Sequence, residues 1–438
     1  MSSDRSSQPF AAFFGIDRSD QVIDSTCLDS SGQHAGYQRV STKPAALKEW
    51  LYAQREAFPS GPLAICIEQP CANLSAFFSQ FDFVVLFLIN PVTLKRWREA
   101  FQVSKAKDDR NDSCHLAQLV FERHSHFKPW RPQDADTRLL RRLCEGRRAL
   151  INQRTQLTNR LKAVLKDYFP LALEVSGEEI HANLACRFLS KWSCLASLQR
   201  AKAETIRAFY YKMGSRRPKT IERRLEEIAA AVPLTEDPAI VRSSVLMVRA
   251  LVKQLDALRA EIAVFEEEID GLYASHPEHA LFASIPGAGT TLGSRLLVVF
   301  GTNRDRFEEA SAAQRFFGIA PVTKQSGRTR AVHRRRACPH FELQTFMEWV
   351  GQTIMKSTWS RACYDHLRAK GMRHYAALRT LAFKWIRIIF RCWKDRVPYD
   401  EATYIAALRK AGSPIVTRID ELLDVAHNSA NNSSEITC

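Results

Sequence analysis

Apolar positions fall in short runs over the first part of the chain and in long helical stripes after it. Ala11–Ile16 is an apolar run that ends in Asp17, and Gln21–Leu28 and Gly36–Ser41 carry β-branched residues on either side of the turn-like segment Asp29–Gly32. Leu63–Ile67 and Phe83–Ile89 read as buried strands, the first ending in Glu68 and the second at Asn90-Pro91. Pro44–Phe58 has helical spacing through Leu47, Trp50 and Leu51, and Asp112–His124 resumes a helix with Leu116, Leu119 and Val120 on one face. The predicted order is three strands, helix, strand, helix, strand, helix, so this part is α/β.

From Leu139 to Tyr168 the pattern is one long helix, with a stripe of Leu143, Leu150, Leu157, Leu161 and Val164 and a surrounding coat of Arg and Lys; Pro170 stops it. Val248, Leu251, Leu255, Leu258, Ile262, Phe265, Ile269 and Leu272 alternate spacings of three and four, which is a coiled-coil seam. Its partner is either the Leu139–Tyr168 helix, in an antiparallel hairpin, or another subunit. Ile285-Pro-Gly-Ala-Gly289 precedes a helix running to Val299, and Phe307–Phe317 is helical. A Lys- and Arg-rich loop spans Lys324–Arg336, followed by apolar helices around Phe346–Ile354 and Ala376–Trp393. The chain therefore divides into an α/β domain at 1–130, a helical and coiled-coil region at 131–275 with an insertion near 170–240, a mostly α-helical domain at 276–400, and a polar tail at 401–438 whose Asn/Ser-rich end is expected to be disordered.

Charge sharpens this division. The 438 residues carry 63 Lys+Arg against 47 Asp+Glu, a formal net charge of +16. Residues 1–130 are neutral overall, whereas 131–168 carry +6 and 276–400 carry +12. A polyanion, with nucleic acid first, is the partner such clustering suggests. The longest apolar run, Phe83–Ile89, is far shorter than the roughly 20 residues of a membrane helix. The N-terminus has no apolar secretory core, and the 11 cysteines form no CxxC pair, so free thiols and a cytoplasmic setting are expected. The 12 histidines show no paired metal spacing. Trp349, Trp359, Trp385 and Trp393 sit on apolar helical faces and read as core residues.

Three groups of residues carry candidate chemistry. Asp17 and Glu68 end strands, and Asp109 and Asp112, three apart, share one face at a helix start. Strand ends of an open sheet lie close together, and magnesium favours such hard oxygen donors. Asp112 taken alone is equally a helix N-cap, and Asp108 competes with Asp109. Ser326-Gly327 lies among Lys324, Arg328, Arg330, Arg334, Arg335 and Arg336. A serine there could be activated as a nucleophile, although from its residues alone the loop reads more simply as a phosphate-contacting turn. Gly287 and Gly289 make a turn like those of helix-hairpin-helix DNA-backbone binders, or simply join two helices.

Together these residues resemble the DEDD transposases of bacterial insertion sequences, the insertion-sequence one-ten group. The resemblance is carried by Gly15-Ile-Asp17, Ile65-Cys-Ile-Glu68, Ile89-Asn-Pro91, Lys107-Asp-Asp-Arg-Asn-Asp112 with Leu116-Ala117, Ile285-Pro-Gly-Ala-Gly289, Arg306-Phe307, Phe317-Gly-Ile-Ala-Pro321 and Gln325-Ser-Gly327. It implies an N-terminal RNase H-like (RuvC-type) domain, a coiled-coil middle and a C-terminal transposase domain. It further implies magnesium held by Asp17, Glu68, Asp109 and Asp112, and Ser326 as a nucleophile forming a covalent phosphoserine with DNA. The implied active site is composite, with the acids of one subunit and the serine of another. The implied partners are the element's DNA ends and target, a noncoding bridge RNA as guide, and further copies of the chain in a dimer or tetramer, with no membrane. The implied setting is bacterial cytoplasm, at the nucleoid when bound to DNA. The sequence departs from the family pattern at Gln69–Asn73, Asp108, Ser113 and Arg336–Pro339. Two other classes remain open: a RuvC-like nuclease that uses water, and a non-catalytic nucleic-acid-binding relic.

Overall fold

A computed structural model describes residues 9–69, 71–101, 109–327 and 329–435, with side chains through 425. Two compact units result, Met1–Gln133 and Asp134–Cys438.

The first unit is built on strands β1 (Ala12–Arg18), β2 (Val22–Asp29), β3 (His34–Ser41), β4 (Leu63–Glu68) and β5 (Val84–Ile89), with helices α1 (Pro44–Ala57), α2 (Ala72–Phe78), α3 (Pro91–Phe101) and α4 (Asp109–Arg123). The sheet order is β3-β2-β1-β4-β5. β1, β2 and β3 pair antiparallel, whereas β4 and β5 continue parallel to β1. Alternation along the strands sends successive side chains to opposite faces. One face gives Ala12, Phe14, Ile16, Leu63, Ile65 and Ile67 to a core that includes Leu47, Trp50 and Leu51 of α1. The other gives Phe13, Ala64, Cys66, Phe87 and Ile89 to a core closed by Leu116, Ala117, Leu119 and Val120 of α4. Burial on both faces explains why β1 and β4 read as nearly continuous apolar runs. The helix α3 is absent from the sequence expectation: only its Leu94 is buried, so its apolar stripe is one residue deep.

The second unit contains α5 (Ala135–Tyr168), the short helices α6 (Ala172–Val175), α7 (Asn183–Lys191), α8 (Leu195–Gln199), α9 (Ala203–Lys212) and α10 (Pro218–Ala230), and then α11 (Pro238–Ser275). After these come α12 (His279–Ala283), α13 (Gly289–Phe300), α14 (Ala310–Phe316), a hairpin of β6 (Val322–Ser326) and β7 (Thr329–His333), α15 (His340–Lys356), α16 (Thr358–Ala369), α17 (His374–Asp395), α18 (Glu401–Lys410) and α19 (Val416–Glu435). The apolar seam of α11 is covered within the same chain. Leu161 and Leu165, late in α5, share a core with Val248 and Leu251, early in α11. Leu140 and Cys144, early in α5, share another with Ile269 and Tyr273, late in α11. The two helices therefore run antiparallel. The 170–240 segment forms a small helical cap around Phe188, Trp192 and Tyr210 at one end of the pair. At the other end lies the larger core, in which Trp349, Trp359, Trp385 and Trp393 are all fully buried, as their helical spacing predicts.

Two expectations are corrected. The Lys324–Arg336 loop contains the β6–β7 hairpin; almost every residue of that ribbon is exposed on both faces, so it lacks the apolar alternation that marks a strand. The expected polar tail begins with packed helices: Ile405, Ile415 and Ile419 are buried in the larger core. Among the described residues no helix is long and apolar enough to cross a membrane, and all ten described cysteines are free thiols.

Candidate functional site

The acidic residues gather on one side of the first unit's sheet. Asp17 has the same strand parity as Phe13 and Gly15, and Glu68 the same as Ala64 and Cys66, so both acids belong to the face covered by α4. β1 and β4 are parallel and their ladder reaches Ile16↔Ile67, which puts Asp17 and Glu68 one step further on at the same edge. Both are half-buried.

What brings α4 to this edge is Gly15. A Cβ built there would lie 2.0 Å from the Ser113 carbonyl oxygen and 2.3 Å from the Ala117 nitrogen. Only a residue without a side chain lets helix backbone lie directly on the strand. Beside this contact, Thr26 and Ser113 share a buried hydroxyl–hydroxyl hydrogen bond of 2.7 Å. The first turn of α4 then presents Asp109 and Asp112 beside the strand ends.

The acids are not equivalent. Asp112 is buried and accepts a hydrogen bond from Arg98 Nη1 of α3 at 2.6 Å. Asp109 is half-exposed, with Arg39 Nη2 at 4.0 Å. Arg39 also lies 3.5 Å from Asp24, a buried β2 residue that pairs directly with Asp17 across the ladder and accepts a hydrogen bond from Tyr37. Sequence reasoning missed Asp24, Arg39 and Arg98. An acid in the middle of the apolar β2 run was the available signal for Asp24.

The donor chemistry of Asp17, Glu68, Asp109 and Asp112 suits a hard divalent cation. Their placement in this state does not: among the described residues, no three His, Cys, Asp or Glu side chains converge closely enough to hold a metal ion. Asp112 is engaged by Arg98 instead. Asp108, the alternative ligand, lies outside the described residues.

In the second unit Ser326 is exposed at the end of β6, directly opposite Thr329 of β7. Gly327 follows with φ +56°, the left-handed turn conformation. Register places Lys324, Ala331 and His333 on the same face as Ser326, and Gln325 and Arg330 on the opposite one. Arg335 turns to the Ala320 carbonyl at 3.3 Å. Arg334 and Arg336 are exposed, and Arg328 lies outside the described residues.

The turn Ile285–Gly289 is held from beneath. Trp349 Nε1 donates to the Pro286 carbonyl at 3.0 Å, and a Cβ at Gly287 would press on Gln352 of α15 at 3.0 Å. Packing alone therefore accounts for Gly287, while Gly289 opens α13 toward free space. On α5, Arg141 is paired with Glu342 at 2.7 Å and Arg148 with Glu348 at 3.0 Å, so part of its positive charge is neutralised internally. Arg142, Arg160, Lys162 and Lys166 are exposed.

Comparison with known proteins decides the family. Residues 14–170 match the family of DEDD transposases typified by IS110, and residues 279–365 match the family described as transposase IS116/IS110/IS902. The chain belongs to the IS110 family of insertion-sequence transposases. It is 26% identical over 411 residues to a Streptomyces coelicolor protein named as the mini-circle transposase for IS117, covering 92% of this chain and 98% of that one. It is also 26% identical over 303 residues to an uncharacterised 43.6 kDa protein of insertion element IS110 from the same species, covering 68% of this chain and 73% of that one. The IS900 protein of Mycobacterium paratuberculosis is 26% identical over 313 residues, or 69% and 75% of the two chains. The first match contains Asp17, Glu68, Asp109 and Asp112, and the second contains Ser326.

Proposed function

We propose that this IS110-family transposase cuts and rejoins DNA through Ser326, with Asp17, Glu68, Asp109 and Asp112 organising the scissile phosphate. The observation that carries this reading is the placement of Ser326: an exposed hydroxyl near the tip of a solvent-facing ribbon, on one face with Lys324 and His333. Such a hydroxyl is open to an approaching phosphodiester, and cations beside it offset the charge of the phosphorane-like transition state. In the proposed step Ser326 Oγ forms a bond to phosphorus, the bond to one sugar oxygen breaks, and that oxygen takes up the serine's proton. Lys324, Arg328, Arg330, Arg334, Arg335 and Arg336, with the Gly287–Gly289 turn, are assigned to DNA backbone contact.

The strand order β3-β2-β1-β4-β5, antiparallel then parallel, supports an RNase H-like reading of residues 1–130. We assign 131–275 to assembly and nucleic-acid contact, and 276–400 to the serine domain. Magnesium is the cofactor that the acids' oxygen chemistry favours. Guidance by a noncoding RNA and assembly as a dimer or tetramer rest on the family resemblance; the concentration of charge at 131–168 and 276–400 agrees with an extended nucleic-acid partner.

The test is a denaturation-resistant protein–DNA adduct, formed by the purified protein with its co-purifying RNA and DNA bearing the element ends. Ser326→Ala should abolish the adduct and retain RNA binding; for a lost nucleophile, a rate loss on the order of 10⁶ is the precedent. Cleavage without an adduct would instead favour a water-using nuclease, and no cleavage by the RNA-loaded protein would favour a binding-only relic.

A further inference from the structure

Beside the serine hairpin the second unit has an open groove of about 1120 Å³, formed by the base of β7, the start of α15 and the start of α17. Its walls combine two chemistries. Tyr375, 75% exposed, stands with Met347, Met372 and Phe383 as an apolar and aromatic surface. Arg334 and Arg379 supply positive charge, and among the described residues no acidic side chain lines the groove.

The arginines are informative as a pair. Burial and the nearby Arg334 guanidinium both push the Arg379 guanidinium below its ordinary range. The protein offers Arg379 a carbonyl, that of Gly318 at 2.7 Å, and no carboxylate pairs with either arginine among the described residues. Two cations brought together without a counter-charge, next to an exposed ring, form a surface whose complement carries both negative charge and a flat apolar face.

We propose that this groove binds an unpaired stretch of nucleic acid, with a base against Tyr375 and the adjoining phosphate between Arg334 and Arg379. A duplex keeps its bases stacked inside and offers the groove only its backbone; an unstacked base is what an exposed ring can hold. The volume exceeds the roughly 300–1,000 Å³ of ordinary small-molecule pockets. The groove also shares an element with Ser326: His333, on its wall and on the serine's face of the ribbon, lies four residues along β7 from Thr329, the cross-strand partner of Ser326, a reach of about 13 Å. The strand held would therefore be the continuation of the strand joined at the serine. The inference rests on the DNA-joining reading of that serine.

The experiment uses the full chain and a fluorescent 12-nucleotide oligothymidylate, with a 12-base-pair duplex as reference, both followed by anisotropy. Tyr375→Ala should weaken oligothymidylate binding about tenfold, within the range of one lost base–aromatic stack, and change duplex binding little. Ala376→Trp, at an exposed position on the groove wall, should block the oligonucleotide by adding bulk. Photo-crosslinking of a 4-thiothymidine oligomer should map to the α17 start. Unchanged oligonucleotide binding by both variants overturns the proposal. So does a lowered assembly size of Tyr375→Ala in sedimentation with unaltered oligonucleotide binding, which would make the groove a contact between copies. The two readings separate cleanly: Ser326→Ala should bind the oligonucleotide normally. An adduct-forming protein whose Tyr375→Ala variant also binds normally removes the groove alone, and a groove-binding protein that never forms an adduct removes the joining reaction alone.

Discussion

The acidic residues and the serine are held in opposite ways. Asp17 and Glu68 end strands covered by side chains on both faces, and the helix that brings Asp109 and Asp112 lies backbone against backbone on Gly15. Ser326 ends a two-stranded ribbon that leaves both faces to solvent. Packing positions the first set; the second is positioned by its own ladder of hydrogen bonds. Carboxylates gathered at one edge of a sheet repel one another and need a rigid frame to stay in place. A serine that, on the proposed reading, must meet an arriving phosphodiester gains from being presented on an element that the substrate itself can order.

The strongest way to break this contrast is Gly15→Val. Its branched Cβ has no room against Ser113 and Ala117, so the first unit should lose at least ~4 kcal/mol and unfold separately from the second. Urea unfolding followed by limited proteolysis reads this, and an unchanged first-unit transition would refute the packing account. Arg98→Gln comes next. It leaves the buried Asp112 without its counter-ion, at a cost of about 3 kcal/mol in chelator. If Asp112 is a metal ligand held in reserve, magnesium should raise the melting temperature of this variant more than that of the parent; equal shifts would remove Asp112 from the ligand set. Thr26→Val deletes one partner of the buried hydroxyl pair while Ser113 keeps its bond to the Arg110 carbonyl, so about 1 kcal/mol is expected by thermal unfolding. Gly327→Ala should cost the second unit about 1 kcal/mol, because a Cβ there meets open space but φ +56° strains any residue that carries one, and it should slow joining.

The smallest effect is one of pH, and it belongs to the second unit. His276 Nδ1 accepts the Glu278 N–H, and Nε2 lies 3.0 Å from Thr137 Oγ1, which in turn donates to Asp134. Burial holds the His276 imidazole below its ordinary range. The unfolded chain therefore binds the proton more readily, and stability present above pH ~6.5 should decline as pH falls further. Calorimetry between pH 7.5 and 5.5 should show this in the second unit, with His276→Asn flattening the dependence.

The sheet was legible because β1, β4 and β5 are buried in unbroken apolar runs. The α11 seam was legible because Val248, Leu251, Leu255, Ile262 and Ile269 are buried along one face of a 38-residue helix. Which partner covers it was not, since either α5 or a second subunit satisfies the same spacing. The hairpin was hidden by the absence of a buried face, and α19 by a polar surface on which, among the described side chains, Ile419 is fully buried, with Ile415 anchoring the turn before it. Asp17, Glu68, Asp109, Asp112 and Ser326 could be picked out by residue type, position and family resemblance. The arginines that engage or neighbour the acids could not, because Arg98 and Arg39 reach them from other elements. Gly15 stood in the pattern as a letter of a motif; the contact with α4 gives it a physical reason.

The chain leaves the larger core of the second unit along α5 and returns along α11, side by side. Everything between those helices, 169–237, is thus an excursion whose two ends are already fastened together. Lengthening such an excursion costs little closure entropy, since each doubling adds only about 0.6 kcal/mol. The far end of the helix pair is accordingly where this transposase could gain or shed whole modules over evolution, and where an engineer could graft a fluorescent or targeting domain, without disturbing the register from which the serine ribbon is built.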